Sequence, residues 1–294
     1  MTQPFNCALV QMRMSADRTS NREHAIAFIR QAAANGAQVI VLPELFSGLY
    51  FCQTEDAEYF DWAEPIPGPT TEALCPLAKE LEVVIVASLF ERRAPGICHN
   101  TVVVIDADGS IAGAYRKMHI PDDPSYYEKY YFTPGDRGFR AIATRYATIG
   151  TLICWDQWYP EAARLTAMQG AEILVYPTAI GWMPSEKDSS GQLHRSAWQT
   201  VQRGHAVANG LYVAAVNRVG YEKPCEAAGG LEFWGTSFAC GPFGELLAEA
   251  SSAQEETLHV TIDPARINTV RHDWPFFRDR RIDAFGGLTE RFGL

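Results

Sequence analysis

No stretch of this chain approaches the ~18 consecutive apolar residues that cross a bilayer, so no membrane partner is expected. The N-terminal "MTQPFNCALVQM" lacks a basic segment and has only a short apolar run, which argues against a signal peptide. There is no basic stripe either. The net charge is −10, and the one dense basic run, "FRDRR" (277–281), is diluted by acidic neighbours. A nucleic-acid partner is therefore not expected. The seven cysteines, at 7, 52, 75, 98, 154, 225 and 240, are odd in number and form no CxxC pair. A disulfide framework and a cysteine zinc site both lose support, and a reducing, cytoplasmic location fits best. No linker, low-complexity segment or internal repeat interrupts the 294 residues, so a single domain is expected over 1–294.

Hydrophobic residues make up 47%, enough for a sizeable core. Short apolar runs alternate with helical patterns. Strands are expected at 5–12, 38–45, 82–92, 148–154, 172–179, 211–220 and 256–263. Segment 100–117 reads as two strands around the turn "DADG", and 233–250 as a hairpin-like pair. Helices are expected at 21–37, 70–81, 159–171 and 191–210. Such alternation predicts an α/β fold, and the hairpin-like turns predict mixed sheets. The tail 264–294 starts helical and continues as an aromatic, basic arm, "WPFFRDRRIDAF", read as crossing a neighbour in a homo-oligomer.

Three strong chemical groups each close an apolar strand. Glu44 ends "QVIVLPE", Lys117 ends "SIAGAYRK" and Cys154 ends "TIGTLIC". Active sites of α/β sheets gather at the carboxyl ends of strands. A cysteine on a strand-to-helix turn also meets N–H groups that favour a thiolate. Singly, each residue has a blander reading: buried packing, a solvated turn, a surface lysine. Jointly, they are what amide hydrolysis needs. A carboxylate takes the thiol proton, and an ammonium stabilises the tetrahedral oxyanion. A cysteine–histidine pairing with His119, His194 or His205 is the rival arrangement.

The segments "VLPELF", "YRKMHI" and "LICWDQWYPEAAR" resemble, in order, the Glu, Lys and Cys motifs of the nitrilase (carbon–nitrogen hydrolase) superfamily. The resemblance implies a four-layer αββα sandwich with two mixed β-sheets and a Glu44–Lys117–Cys154 triad. It also implies no metal or organic cofactor, and commonly a dimer or larger homo-oligomer. Glu128, in "YYEKYYFTPGD", matches a second glutamate that many members keep beside the triad. Within the superfamily, "CWDQWYPEAARLTAMQGAEILVYPTAIG" looks most like the branch that cleaves N-carbamoylputrescine to putrescine, ammonia and carbon dioxide. An amidase or carbamoylase for another small amide, and a catalytically silent association domain, stay open beside it.

Related hydrolases of N-carbamoyl amino acids tend to carry arginine two or three positions past the nucleophile. This chain has Gln157 and Trp158 there. The surroundings offered by Trp155, Asp156 and Trp182, with Asp122 and Asp123, suit an aliphatic chain ending in a cation. The carbamoylputrescine branch usually has an acidic residue after "PTAIG", where this chain has Met183. Glu186, three residues later, is the candidate replacement.

Overall fold

The computed structural model describes residues 3–293. The first half of the chain builds one sheet and its helical cover. Strand β1 (Phe5–Gln11) leads to helix α1 (Arg18–Ala34), then β2 (Val39–Val41) and α2 (Pro69–Leu81). Strands β3 (Val84–Ala94), β4 (Ile97–Ile105) and β5 (Ile111–Arg116) follow as an antiparallel meander. Along β1 the side chains alternate. Ala8 and Val10 join Ala25 and Ile29 of α1 and Leu74 and Ala78 of α2, whereas Cys7 and Leu9 enter the core on the opposite side. Both faces are covered, which is why these strands read as unbroken apolar runs.

The second half repeats the design. After the single turn α3 (Glu128–Tyr131) come β6 (Ala141–Ala143), β7 (Thr148–Thr151), α4 (Pro160–Met168) and β8 (Ile173–Thr178). Then β9 (Gly181–Trp182), α5 (Gln192–Asn209), β10 (Tyr212–Asn217), β11 (Val219–Glu222), β12 (Leu231–Trp234), β13 (Phe238–Cys240) and β14 (Leu246–Glu249) complete it. The last strand, β15 (Glu256–Ile262), returns to pair antiparallel with β1, and α6 (Pro264–Asp273) starts the tail. The result is two mixed six-stranded sheets, β15-β1-β2-β3-β4-β5 and β14-β13-β10-β8-β7-β6. Leu9, Val41 and Val86 of the first meet Ile149, Val175 and Val213 of the second in a shared core. Ala162 and Ala163 of α4 and Trp198 and Ala206 of α5 belong to that core too. The layers are helix, sheet, sheet and helix, as expected. Gln11, fully buried, ties the halves together: its amide donates to the Ser251 and Gln254 carbonyls and accepts from Ser237.

Several boundaries differ from the sequence reading. Helix α1 begins at Arg18, three residues early, because the Asp17 carboxylate accepts from the Thr19 and Ser20 N–H groups. The expected strand 211–220 breaks at Arg218 into β10 and β11. A small third sheet, β11-β12-β9, was not expected: its strands have four residues or fewer, too short to show a period. No helix among the described residues is long and apolar enough to cross a membrane. Asp17→Ala is expected to cost about 1 kcal/mol of unfolding free energy. Urea denaturation measures it, and turnover should be unchanged because α1 lies on the outer layer.

Candidate active site

The cluster is built where β2, β5 and β7 end. Lys117 follows β5, with its N–H donating to Asn100 and its carbonyl accepting from Gly135. Gly135 packs so close that a Cβ there would sit 2.1 Å from the Arg116 carbonyl oxygen. The Lys117 Nζ lies 2.9 Å from Glu44 Oε1 and 2.6 Å from Glu128 Oε2, and all three side chains are essentially unexposed. Asn100 donates a second bond to Glu44 Oε1 at 2.7 Å, and Tyr50 Oη donates to Glu128 Oε1 at 2.7 Å. Glu44 Oε2 is buried without a hydrogen-bond partner, so one lone-pair face of this carboxylate is free to take a proton.

Burial opposes the Lys117 charge, but Glu128, Glu44 and Cys154 outweigh it and hold its pKa well above that of an ordinary lysine. Burial pushes the Glu128 carboxyl up to about 7, with Lys117 pulling it down and Glu44 pushing it further up. Burial and then Glu44 drive the Cys154 thiol well above its usual range, against Lys117. Burial beside two carboxylates thus works against the thiolate that the turn's N–H groups favour.

Cys154 opens a 3-10 turn, Cys154–Trp158, rather than a full helix, and its φ is +38°, a conformation rare outside glycine. Such strain persists only where neighbours impose it. Asp156 imposes it here. Its Oδ2 accepts from the Ile153 N–H at 3.0 Å and Tyr115 Oη at 2.8 Å, and its Oδ1 from the His119 N–H at 3.1 Å. His119 Nδ1 lies 2.7 Å from the same Oδ1, and the imidazole stacks on Tyr159 at 3.6 Å. Cys154 Sγ points toward the Ala179 carbonyl at 3.8 Å.

Above the sulfur lies a pocket of about 370 Å³, lined mainly by apolar side chains such as Trp155, Trp158, Ile180, Met183 and Trp234. Asp123 and Glu186 supply its carboxylates, and His194 lies on its wall. Glu186 Oε2 accepts from the Met183 N–H at 3.1 Å, which anchors the acid inside its loop.

Comparison with known proteins agrees with this geometry. The family model described as carbon–nitrogen hydrolase matches residues 6–272. The chain belongs to the carbon–nitrogen hydrolase family. An N-carbamoylputrescine amidase of Solanum lycopersicum is 48% identical over 281 residues, covering 95% of this chain and 92% of the relative. A citrullinase of Francisella tularensis is 43% identical, covering 97% and 98%. The crystal structure of a carbon–nitrogen hydrolase from Helicobacter pylori G27 superposes with a TM-score of 0.96 at 46% identity, over 99% of this chain and 100% of that one.

In this carbon–nitrogen hydrolase, Glu44, Lys117 and Glu128 meet in one hydrogen-bonded cluster, and Cys154 is electrostatically coupled to all three. Trp155 and Glu186 line the pocket. Three expected substrate contacts lie elsewhere, and Asp122, unlike Asp123, is absent from the pocket lining. Asp156 is fully buried beneath the nucleophile turn, where both oxygens are occupied, so it shapes the turn. Trp182 is buried behind the wall, 5.2 Å from the Trp234 ring that does line the pocket. Two of the candidate histidines are engaged away from the sulfur, His119 by Asp156 and buried His205 by the Gln157 carbonyl at 2.8 Å, whereas His194 stands on the pocket wall. Sequence reasoning missed Tyr50, Asn100 and Asn217. Asn217 fixes the Ile180 backbone through both its N–H and its carbonyl, and so holds the pocket edge beside Ala179.

The cluster predicts an acid limb in kcat/KM. The ionised Glu128 is the form that pairs with Lys117, so activity should rise as pH passes upward through about 7. The Tyr50 hydroxyl lowers that pKa, so Tyr50→Phe is expected to move the limb to higher pH. A pH–rate profile of both proteins checks it; an unmoved limb would detach Glu128 from the titration.

Proposed function

We propose that the enzyme hydrolyses the ureido C–N bond of N-carbamoylputrescine, yielding putrescine, ammonia and carbon dioxide, and so takes part in polyamine formation. One observation carries the reading: the pocket over Cys154 is apolar and holds two carboxylates, Asp123 and Glu186, with no lysine or arginine among the described residues that line it. An aliphatic chain ending in an ammonium fits such walls. A carboxylate entering them loses hydration without gaining a partner. This disfavours N-carbamoyl amino acids, and citrulline with its α-carboxylate.

Glu44 accepts the Cys154 proton through its unpartnered oxygen as sulfur attacks the ureido carbonyl. The Lys117 ammonium and the Trp155 N–H hold the oxyanion. Collapse breaks one C–N bond, and Glu44 returns the proton to the leaving nitrogen. A water deprotonated by Glu44 then releases the carbamoyl group from sulfur. The resulting carbamic acid loses carbon dioxide. Glu128 keeps Lys117 in place and moderates its charge.

We also assign the whole chain to one catalytic unit, with 264–294 as an arm on a second copy of itself. Phe277 tethers the arm, lying 4.6–5.1 Å from the Arg164, Arg271 and Arg280 guanidiniums. Around it Trp274, Phe276, Ile282, Leu288 and Phe292 stay exposed, as do Leu165 and Met168 of α4, and Arg280 of the arm reaches the Met168 sulfur. Sedimentation of the full chain and of a 1–273 truncation tests this arm: the truncation should shift the protein toward monomer. All seven thiols are free, which suits a reducing cytoplasm.

Ammonia release from N-carbamoylputrescine, a neutral N-alkylurea, L-citrulline and N-carbamoyl-β-alanine decides the substrate. The cation should give the highest kcat/KM, and faster cleavage of either carboxylate compound overturns the reading. Glu186→Gln should raise KM for the cation at least about tenfold, the value of one charge-assisted contact, and spare the neutral urea. Cys154→Ala should abolish turnover, and Lys117→Ala should lose at least ~10²-fold in kcat.

A further inference from the structure

Arg218 is the single residue between β10 and β11, and it is completely buried. Its guanidinium reaches across to the segment that carries the general base. Nη2 donates to the Glu44 carbonyl at 2.6 Å and the Leu45 carbonyl at 3.0 Å. Nη1 donates to the Gly48 carbonyl at 3.2 Å and to Glu222 at 2.8 and 3.0 Å. Glu222 in turn accepts from the Tyr50 N–H at 2.7 Å, and Tyr50 is the residue that holds Glu128. The Tyr50 and Phe233 rings flank the guanidinium at 5.8 and 5.2 Å. One charged pair thus grips both ends of the turn 44–50.

Stability alone is a poor reason for this arrangement. A buried ion pair is often no better than an apolar replacement. This one also leaves the Arg218 Nε–H buried with no acceptor, a cost in its own right. The turn itself needs holding, because Leu45 has φ +48°, a conformation that a leucine adopts only under constraint. Three carbonyls of one turn, those of Glu44, Leu45 and Gly48, point at one planar fork, a pattern that a lysine's single ammonium does not reproduce.

We infer that Arg218 is the positioning residue of this active site: with Glu222 it fixes the Glu44 carboxylate and, through Tyr50, the Glu128 carboxylate against Lys117. The inference rests on Glu44 acting as general base.

The test is steady-state kinetics across pH, with thermal melting of each variant. Arg218→Lys should lose about 10²-fold in kcat, the effect of a reacting group displaced by about 1 Å, with KM little changed. Its acid limb should move to higher pH as the Tyr50 bond to Glu128 loosens. Added guanidinium should restore part of the kcat of Arg218→Ala. A folded Arg218→Lys with wild-type kcat and an unmoved limb, whatever its melting temperature, would overturn the inference. Should the Arg218 variants not fold, Glu222→Gln decides: lower kcat with a shifted limb supports the clamp, and an unchanged profile overturns it. Glu44→Gln separates the two layers. An inactive Glu44→Gln beside a normal Arg218→Lys removes only the clamp; an active Glu44→Gln removes the base assignment and the clamp together.

Discussion

A lysine ammonium with no exposure to water, held between two carboxylates, is the constraint around which this molecule is arranged. Alone, the buried Lys117 charge would be prohibitive; with one carboxylate it would be neutralised and inert as a base site. With Glu44 and Glu128 together, the cluster carries an excess of negative charge that burial makes costly. Burial first, and then the neighbouring carboxylates, raise the Glu128 carboxyl and the Cys154 thiol against the pull of Lys117. In the proposed mechanism, proton transfer from sulfur to Glu44 moves charge within the cluster rather than creating it, and the carbonyl oxygen that becomes anionic meets an ammonium already in place, with no solvent to reorganise.

Bringing the ends of β2, β5 and β7 together requires both sheets. Glu44 and Lys117 belong to the first sheet and Cys154 to the second, so the sandwich must close before the site exists. The backbone link from the Glu44 N–H to the Thr178 carbonyl, and the Gln11 side chain bridging to Ser237, are parts of that closure. Two strained residues, Leu45 and Cys154, stand at the seam, each held by a buried charged side chain that takes no part in bond making. Asp156 does this for the nucleophile and Arg218 for the base.

The fold class and the gathering of Glu44, Lys117 and Glu128 in one cluster were legible because their signals are local. An apolar run ending in a single charged or thiol residue marks a strand end, and strand ends are where such residues gather. The layers were legible for the same reason: doubly covered strands read as continuous apolar runs. What sequence concealed depends on tertiary approach. Asp156 sits two residues from the nucleophile and reads as a pocket residue, but a 3-10 turn carries its carboxylate underneath rather than outward. Trp182 fails similarly, since its neighbour Trp234 takes the wall. Arg218 and Asn217 lie inside one apparent strand, "LYVAAVNRVG", and nothing in that pattern reveals that the strand breaks there to serve a turn more than 170 residues earlier.

Chemistry and selectivity are built from different material. The proposed chemical groups are buried at strand ends. Much of the pocket wall comes instead from residues 121–126 and 180–197, largely loops and a helix start. Glu186, proposed to stand in for the acid missing at Met183, reaches the pocket from a loop and keeps its orientation by accepting from the Met183 N–H. A carboxylate restrained by its own loop loses less freedom on meeting a cation than a free one would. On the proposed reading, an acid placed elsewhere along this loop would change which chain lengths reach it while leaving sulfur, base and ammonium where they are.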